Sequence, residues 1–213
     1  MLTVHHLHVS QSERIVWLCE ELGLDYTLRL YDRDPVTRLG QADYKALYPM
    51  GIAPVIDDDD VRLGESGAIV EYLLTKHGGG RLALGPTEAD YPQYLYWLHF
   101  ANGNLQPVMG RAMILNRLDL PADNPVRRST LARLDLILRV LEERLSVHPW
   151  LAGETFTAAD IMTVFSLTTM RAFCPLDLAP RPHIRAYLAR IGERPAYRRA
   201  MAKGDADMTP MLS

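Results

Sequence analysis

The chain has 213 residues, 48% of them hydrophobic and 23% charged, enough apolar material to bury the core of one large domain or two small ones. A formal charge of -3 and a pI near 6.2 give no electrostatic case for nucleic acid or an anionic membrane. No apolar run approaches the ~18 residues needed to span a bilayer. The start Met1-Leu2-Thr3-Val4-His5-His6 lacks a signal peptide's organisation, and Cys19 and Cys174 supply neither a disulfide framework nor metal spacing, so a cytoplasmic protein is expected.

Residues 2–9, rich in β-branched and ring side chains, predict a strand. Residues 12–22 place Ile15, Leu18, Cys19 and Leu22 at helical spacing, with Gly23 as the closing cap. Residues 26–31 alternate as a second strand; a proline-bearing loop and a short helix over 42–47 follow. Ala53-Pro54-Val55-Ile56 predicts a strand starting at the proline, which cannot donate to a ladder and so belongs at a strand's first position or an edge. Residues 57–60 predict a turn, 61–63 a short strand and 66–76 an amphipathic helix. The order β-α-β-α-β-β-α packs most economically as a thioredoxin-like α/β domain with a mixed sheet of four strands.

Gly78-Gly79-Gly80 stops the last of these helices, and no strand is predicted beyond it. Residues 91–115 read as a long helix broken near Pro107, and 120–125 as a loop. Leu131, Leu134, Leu138, Leu141 and Leu145 form one helical stripe, and further helices are expected over 158–172, 183–191 and 196–202. The expected organisation is therefore an α/β domain over 1–78, a linker over 79–87 and an all-α domain over 88–213.

Glu65-Ser66 at a helix start, beside the strand at Pro54, offers one fixed negative charge, one hydroxyl and unpaired backbone N–H groups. Such a site suits a small zwitterionic peptide; the plainer reading is a helix cap. Ser10-Gln11-Ser12-Glu13 fits a capping box in which Ser10 accepts from the Glu13 N–H. Strand alternation sends His6 and His8 to one face and His5 to the other, and two histidines without a third ligand make a poor metal site, so no metal is expected. Thr157 and Asp160 fit a helix N-cap with an acid at its third position, a structural role.

Four segments, in this order, resemble the cytosolic glutathione S-transferases over nearly the whole chain. They are Ser10-Gln11-Ser12-Glu13-Arg14-Ile15-Val16-Trp17-Leu18-Cys19-Glu20-Glu21-Leu22-Gly23, Ala53-Pro54-Val55-Ile56, Glu65-Ser66 with Ala68-Ile69 and Tyr72-Leu73, and Phe156-Thr157-Ala158-Ala159-Asp160-Ile161. The resemblance implies glutathione as co-substrate, a small hydrophobic electrophile as its partner, and a homodimer without metal. It implies that Ala53 presents its backbone to glutathione, that Pro54 is cis, and that Glu65 and Ser66 hold the γ-glutamyl end. Ser10 falls at the catalytic-serine position of theta-like and delta-like members, as hydrogen-bond donor to the glutathione thiolate; Ser12 is the second choice, the helix dipole with water the third. No cysteine stands near position 10, where the disulfide-reducing branch carries one.

His8, Asn102, Gln106, Met109 and Met113 are the implied lining of the electrophile pocket, with Met208, Met211 and Leu212 near its mouth. Two positions depart from the pattern. Ile52 stands where many relatives carry a lysine for the glycyl carboxylate, leaving that task to Lys45 or another cation, and Asn102, Gly103 and Asn104 stand where an acid is common. The implied activity is conjugation of the thiolate to an electrophile, in detoxification, catabolism or stress defence. A glutathione-dependent peroxidase and a non-catalytic module that keeps the fold are the alternatives.

Overall fold

A computed structural model of the protein describes residues 1–118 and 120–213. They group into two compact units, Met1–Ala83 with Gly192–Pro210, and Leu84–Ile191 with Met211–Ser213.

The first unit holds β1 (Leu2–Leu7), α1 (Glu13–Leu22), β2 (Thr27–Tyr31), α2 (Ala42–Lys45), β3 (Val55–Asp58), β4 (Val61–Gly64) and α3 (Ser66–Lys76). The four strands form one sheet in the order β2-β1-β3-β4, with β1 parallel to β2 and the other two pairs antiparallel. The parallel pair requires a crossover, which α1 supplies. Gly23 ends α1 at φ +60, and the N–H groups of Gly23 and Leu24 reach the carbonyls of Glu20 and Cys19, the two bonds of a Schellman cap.

The predicted turn over 57–60 is shorter in the structure. Asp57 and Asp58 lie within β3, although acids are depleted from strands, because each has cationic partners. Asp57 accepts from Arg62 at 2.6 and 2.8 Å and faces His5 at 3.0 Å; Asp58 accepts from Lys76, His77 and Tyr72. Arg62 foremost, with His5, outweighs partial burial and holds the Asp57 carboxyl down to about 2. Its folded pKa is depressed, so its contribution to stability is present above the unfolded carboxylate range and is lost as pH falls through about 2. Asp57→Asn is expected to flatten the acid limb of stability followed by circular dichroism, and an unchanged limb would show that Asp57 has no part in it.

Residues 192–210 group with the first unit, not with 88–213 as the sequence suggested. They carry the last helix, α9 (Pro195–Gly204), which packs on α1. Trp17 meets the Tyr197 ring edge-on at 4.9 Å, and Arg194 grips Glu21 through two bonds of 2.6 and 2.8 Å. Glu20 accepts from Lys203 at 2.5 Å, Arg199 at 2.8 Å and Tyr26 at 2.8 Å. Burial pushes the Glu20 carboxyl up, but these three donors outweigh it and hold it below its ordinary value. This sandwich between sheet and α9 explains why every residue of α1 except Glu21 is buried.

The second unit contains α4 (Tyr91–Phe100), α5 (Gln106–Asn116), α6 (Pro125–Val147), α7 (Ala158–Leu167) and most of α8 (Pro182–Glu193). The expected break near Pro107 is a π-helical turn, Ala101–Leu105, placed before the proline. Pro107 follows directly on that turn within one continuous helical run, and the π turn accommodates the missing N–H. On α6, Leu134, Leu138, Leu141 and Leu145 are buried as expected, but Leu131 is 41% exposed and Ile137 completes the stripe. α7 is buried on all sides and starts at the Thr157–Asp160 capping box. It ends earlier than predicted, with a short 3-10 turn over Thr169–Ala172. Among the described residues no helix is long and apolar enough to cross a membrane.

Candidate functional site

The site grows from the turn between β1 and α1. Val9 sits at φ +53, where a β-branched residue pays about 1–3 kcal/mol in strain. Its surroundings impose that conformation. The Val9 N–H donates to Asp205 Oδ1 at 2.8 Å, while Arg33 donates Nη2 to the Val9 carbonyl and Nε to the His8 carbonyl, both at 2.8 Å. Immediately after this clamped residue the chain delivers Ser10.

Ser10 and Ser12 are both buried, and their hydroxyl oxygens lie 2.7 Å apart. Ser10 Oγ also accepts the Ser12 N–H at 3.2 Å, and Ser12 Oγ accepts the Leu7 N–H at 3.1 Å and lies 2.9 Å from His6 Nδ1. The capping box expected for Ser10 is therefore not formed as proposed. The Glu13 N–H goes to the Ser10 carbonyl at 3.1 Å, and the N-cap of α1 is Ser12, without a side-chain cap bond. Both hydroxyls are committed instead to a chain that leads into the protein.

A second line of bonds runs from the same turn to β3 and α3. Gln11 Nε2 donates to the Ala53 carbonyl at 2.7 Å, and Arg14 Nη1 donates to Gln11 Oε1 at 3.1 Å and to Ser66 Oγ at 3.3 Å. Arg14 is wholly buried; burial lowers its pKa to about 10, against the raising effect of Glu13 and Glu65. The Ala53–Pro54 peptide is cis, as the resemblance implied. Glu65, the N-cap of α3, stands exposed at φ +73, and Ser66 beside it is buried. The structure thus ties the turn that carries Ser10 to Ala53 and Ser66 through Gln11 and Arg14, with Pro54 and Glu65 next to them in the chain, while Ile52 is 54% exposed.

Beside the Val9 turn lies a cavity of about 580 Å³, lined by His8, Val9, Arg33, Arg38, Gln41 and Asp205 among others. His8 is one-third exposed there, and Met208 also lines it. Lys45, the cation that the sequence suggested near Ile52, is exposed on α2.

The histidines divide as strand alternation predicts. His5 contacts Tyr31 and Asp57, whereas His6 Nε2 meets Asp205 Oδ2 at 3.0 Å and His8 Nδ1 meets Asp205 Oδ1 at 3.2 Å. The third ligand-bearing group that the sequence lacked is therefore present, and one ligand atom from each of His6, His8 and Asp205 lies within 4.8 Å of the others. As they stand, both imidazoles are hydrogen-bonded to the carboxylate. Burial pushes the Asp205 carboxyl up, but His6, the Val9 N–H and His8 outweigh it and hold it below its ordinary value.

In the second unit, Asn102 lies on the π turn and Gln106 and Met113 on α5, all half-buried. Met109 is wholly buried in the core of that unit, which corrects its expected place on an open pocket wall. Asn104 Oδ1 accepts from Arg133 on α6 at 3.0 Å. Sequence reasoning missed Gln11, Arg14, Arg33 and Asp205, and weighed His6 only as a metal ligand. Of these only Gln11 and Arg14 stood in a segment that carried a signal; nothing in the sequence connects Asp205 to a histidine 199 residues earlier.

A thioredoxin-like α/β unit with a cis-proline edge and a polar helix start, in a chain whose remainder is helical, defines a class. The chain belongs to the glutathione S-transferase family: residues 4–81 match the family's N-terminal domain and 100–195 its C-terminal domain. Glutathione S-transferase 3 of Schizosaccharomyces pombe is 30% identical over 100% of this chain and 92% of its own. A crystal structure of a glutathione S-transferase from Actinobacillus pleuropneumoniae superposes with a TM-score of 0.89 at 33% identity, covering 100% of this chain and 98% of that one. A glutathione transferase of Burkholderia graminis, with two glutathione molecules bound per subunit, has a TM-score of 0.77 at 25% identity over 96% of this chain and 88% of that one.

Proposed function

We propose that this protein is a serine-type glutathione transferase that conjugates the glutathione thiolate to hydrophobic electrophiles. The observation that carries the reading is the bonded frame joining the Ser10 turn to Ala53 and Ser66 through Gln11 and Arg14. In this reading the exposed Glu65 carboxylate pairs with the γ-glutamyl ammonium, and Ser66 with the first N–H groups of α3 takes the adjoining carboxylate. The backbone of Ile52 and Ala53 receives the cysteinyl part, beside Pro54. Arg38 and Gln41, on the cavity beside Val9, replace the missing lysine at the glycyl end, and Ser10 stands at the thiol. On the first unit, His8, one-third exposed beside the Val9 turn, is a contact for the electrophile. The enzyme works in the cytoplasm as a homodimer.

Calorimetric titration with glutathione tests the reading. Binding between micromolar and low millimolar, about -8 to -4 kcal/mol, is expected for the unaltered protein. Glu65→Ala removes a charge-assisted pair of about 1.5–3 kcal/mol and is expected to weaken binding by about 10–100-fold. Normal affinity in that variant would remove Glu65 from the site. The exposed Ile52 favours one other reading, a non-catalytic module, and an absence of binding heat and of any thermal shift with glutathione would establish it.

A further inference from the structure

We propose that Ser12 and His6, oriented by Asp205, form a proton relay that takes the thiol proton of glutathione from Ser10 and holds it on His6 Nδ1; the inference rests on the reading of Ser10 as the residue at the thiol. The contacts run Ser10 Oγ–Ser12 Oγ 2.7 Å, Ser12 Oγ–His6 Nδ1 2.9 Å and His6 Nε2–Asp205 Oδ2 3.0 Å. His6 and Ser12 are wholly buried and Asp205 nearly so, while Ser10 is 5% exposed at the outer end. Ser10 is one end of the chain, and Asp205 at the other end also lines the cavity beside Val9.

Its polarity follows from the inner end. Asp205 is a carboxylate and only accepts, so neutral His6 carries its hydrogen on Nε2 and leaves Nδ1 as a lone pair. Ser12 then donates its O–H to His6 Nδ1 and accepts from the Leu7 N–H and from the Ser10 O–H. Ser10 accepts the Ser12 N–H and keeps one lone pair facing outward. In this state it offers an acceptor at the thiol, not a donor. A glutathione S–H bond at that lone pair completes the chain.

When the S–H bond breaks, its proton joins Ser10 Oγ, the Ser10 proton joins Ser12 Oγ, and the Ser12 proton joins His6 Nδ1. Three bonds to hydrogen break and three form. The thiol becomes a thiolate and His6 an imidazolium paired with the Asp205 carboxylate. Each hydroxyl is now reversed, so the Ser10 O–H points outward and donates to the new thiolate. The same event creates the charge and turns the donor toward it. After the thiolate has reacted, the chain runs backward and returns the proton at Ser10 to water or to the adduct.

Other charged and titratable groups surround His6. The His8 ring stands edge-on at 5.8 Å and shares Asp205; Asp32 lies 3.8 Å from His8 Nε2; Arg33 feels the Asp205 charge. Glu13 and Arg14 begin α1 beyond Ser12, and His5 faces the opposite side of β1 toward Asp57. A structural role for Asp205 is the competing account, because the same carboxylate clamps the strained Val9.

Asp205→Asn separates the two accounts. The Val9 N–H requires an acceptor at the Oδ1 position, so the amide nitrogen takes the Oδ2 position and donates to His6 Nε2. Neutral His6 must then carry its hydrogen on Nδ1, facing Ser12, and the relay has no acceptor. The expected result is near-normal glutathione affinity, a raised pKa of the bound thiol read from thiolate ultraviolet absorbance, and kcat about 10²-fold lower at neutral pH, recovering as pH is raised. Ser12→Ala cuts the chain at another link and is expected to match it, and the double variant is expected to add nothing further. On the unaltered protein, nitrogen NMR of the histidine rings is expected to show His6 passing to the imidazolium as glutathione saturates the site. A bound thiol with unmoved pKa in either folded variant, additive losses in the double variant, or a His6 that stays neutral would each overturn the relay while leaving glutathione binding intact. Absence of binding to the unaltered protein would overturn the transferase reading and the relay together.

Discussion

Ser10→Ala is expected to lower kcat for conjugation by about 10²–10³-fold, the usual effect of removing one preorganised donor from a developing anion, with little change in glutathione affinity. A thiol with a pKa of about 8.5 is mostly protonated at neutral pH, so the enzyme must make the thiolate more stable than water does. Affinity is expected to survive because the γ-glutamyl and glycyl ends of the ligand are held elsewhere, at Glu65, Ser66 and the Arg38 side of the cavity. The fold is expected to survive as well. Ser10 is small and at the surface end of its network, and Ser12 keeps the Leu7 N–H and His6 when Ser10 is lost. Steady-state kinetics with an aryl halide, alongside calorimetry, read the two quantities separately. An unchanged kcat would transfer activation to Ser12 or to the N-terminus of α1 with water.

Asp160→Ala is expected to cost roughly 3–5 kcal/mol of stability, since it removes the acceptor of four buried donors, two of them N–H groups that cannot turn elsewhere, at about 1–3 kcal/mol for each left unsatisfied. The carboxylate takes the Leu151 N–H at 3.0 Å and the Tyr187 hydroxyl at 3.1 Å on one oxygen, and the Thr157 N–H at 2.9 Å with the Thr157 hydroxyl on the other. It therefore ties the start of α7 to the preceding loop and to α8. A loss of that size is a large part of the ~5–15 kcal/mol that holds typical domains folded. Urea unfolding followed by tryptophan fluorescence measures it, and a loss below 1 kcal/mol (about one ordinary surface substitution,) would show that the loop finds other partners.

The same group sets a pH dependence of defined sign. Burial pushes the Asp160 carboxyl up to about 6, against the lowering effect of its hydrogen-bond donors. The folded protein thus binds this proton more tightly than the unfolded chain does. Its contribution is fullest below the ordinary carboxylate range and declines as pH rises through about 6. The alanine variant is accordingly expected to differ more from the unaltered protein in mild acid than at neutral pH.

Features written in neighbouring residues were legible in the sequence. The helix 66–76 has the bounds expected from its apolar spacing, Gly23 caps α1, and Thr157 with Asp160 forms the capping box. The cis Ala53–Pro54 peptide and the helix start at Ser66 fall on short motifs, whereas the bridging by Gln11 and Arg14 was not legible. What escaped depends on partners distant in sequence. Asp57 and Asp58 look like a turn until Arg62, Lys76 and His77 neutralise them within a strand. Leu131 fits a stripe by spacing alone, but the core begins one turn later. Ser10 fits a capping box by spacing, yet a histidine on β1 offers its neighbour a better partner. The sequence excluded a metal for want of a third group, which α9 brings from the other end of the chain as Asp205.

The return of α9 to the first unit bears on how the protein is made. An excised fragment of residues 1–83 would leave the carboxylates of Glu20 and Glu21, 7% and 9% exposed in the intact fold, without Arg199, Lys203 and Arg194, and would uncover Trp17. On the ribosome the same residues emerge first and must wait for 192–210, so the N-terminal unit is completed only after residues 84–191 have been made. A nonsense mutation late in the reading frame would then be felt at the opposite end of the chain, as a defect of the first unit to leave the tunnel.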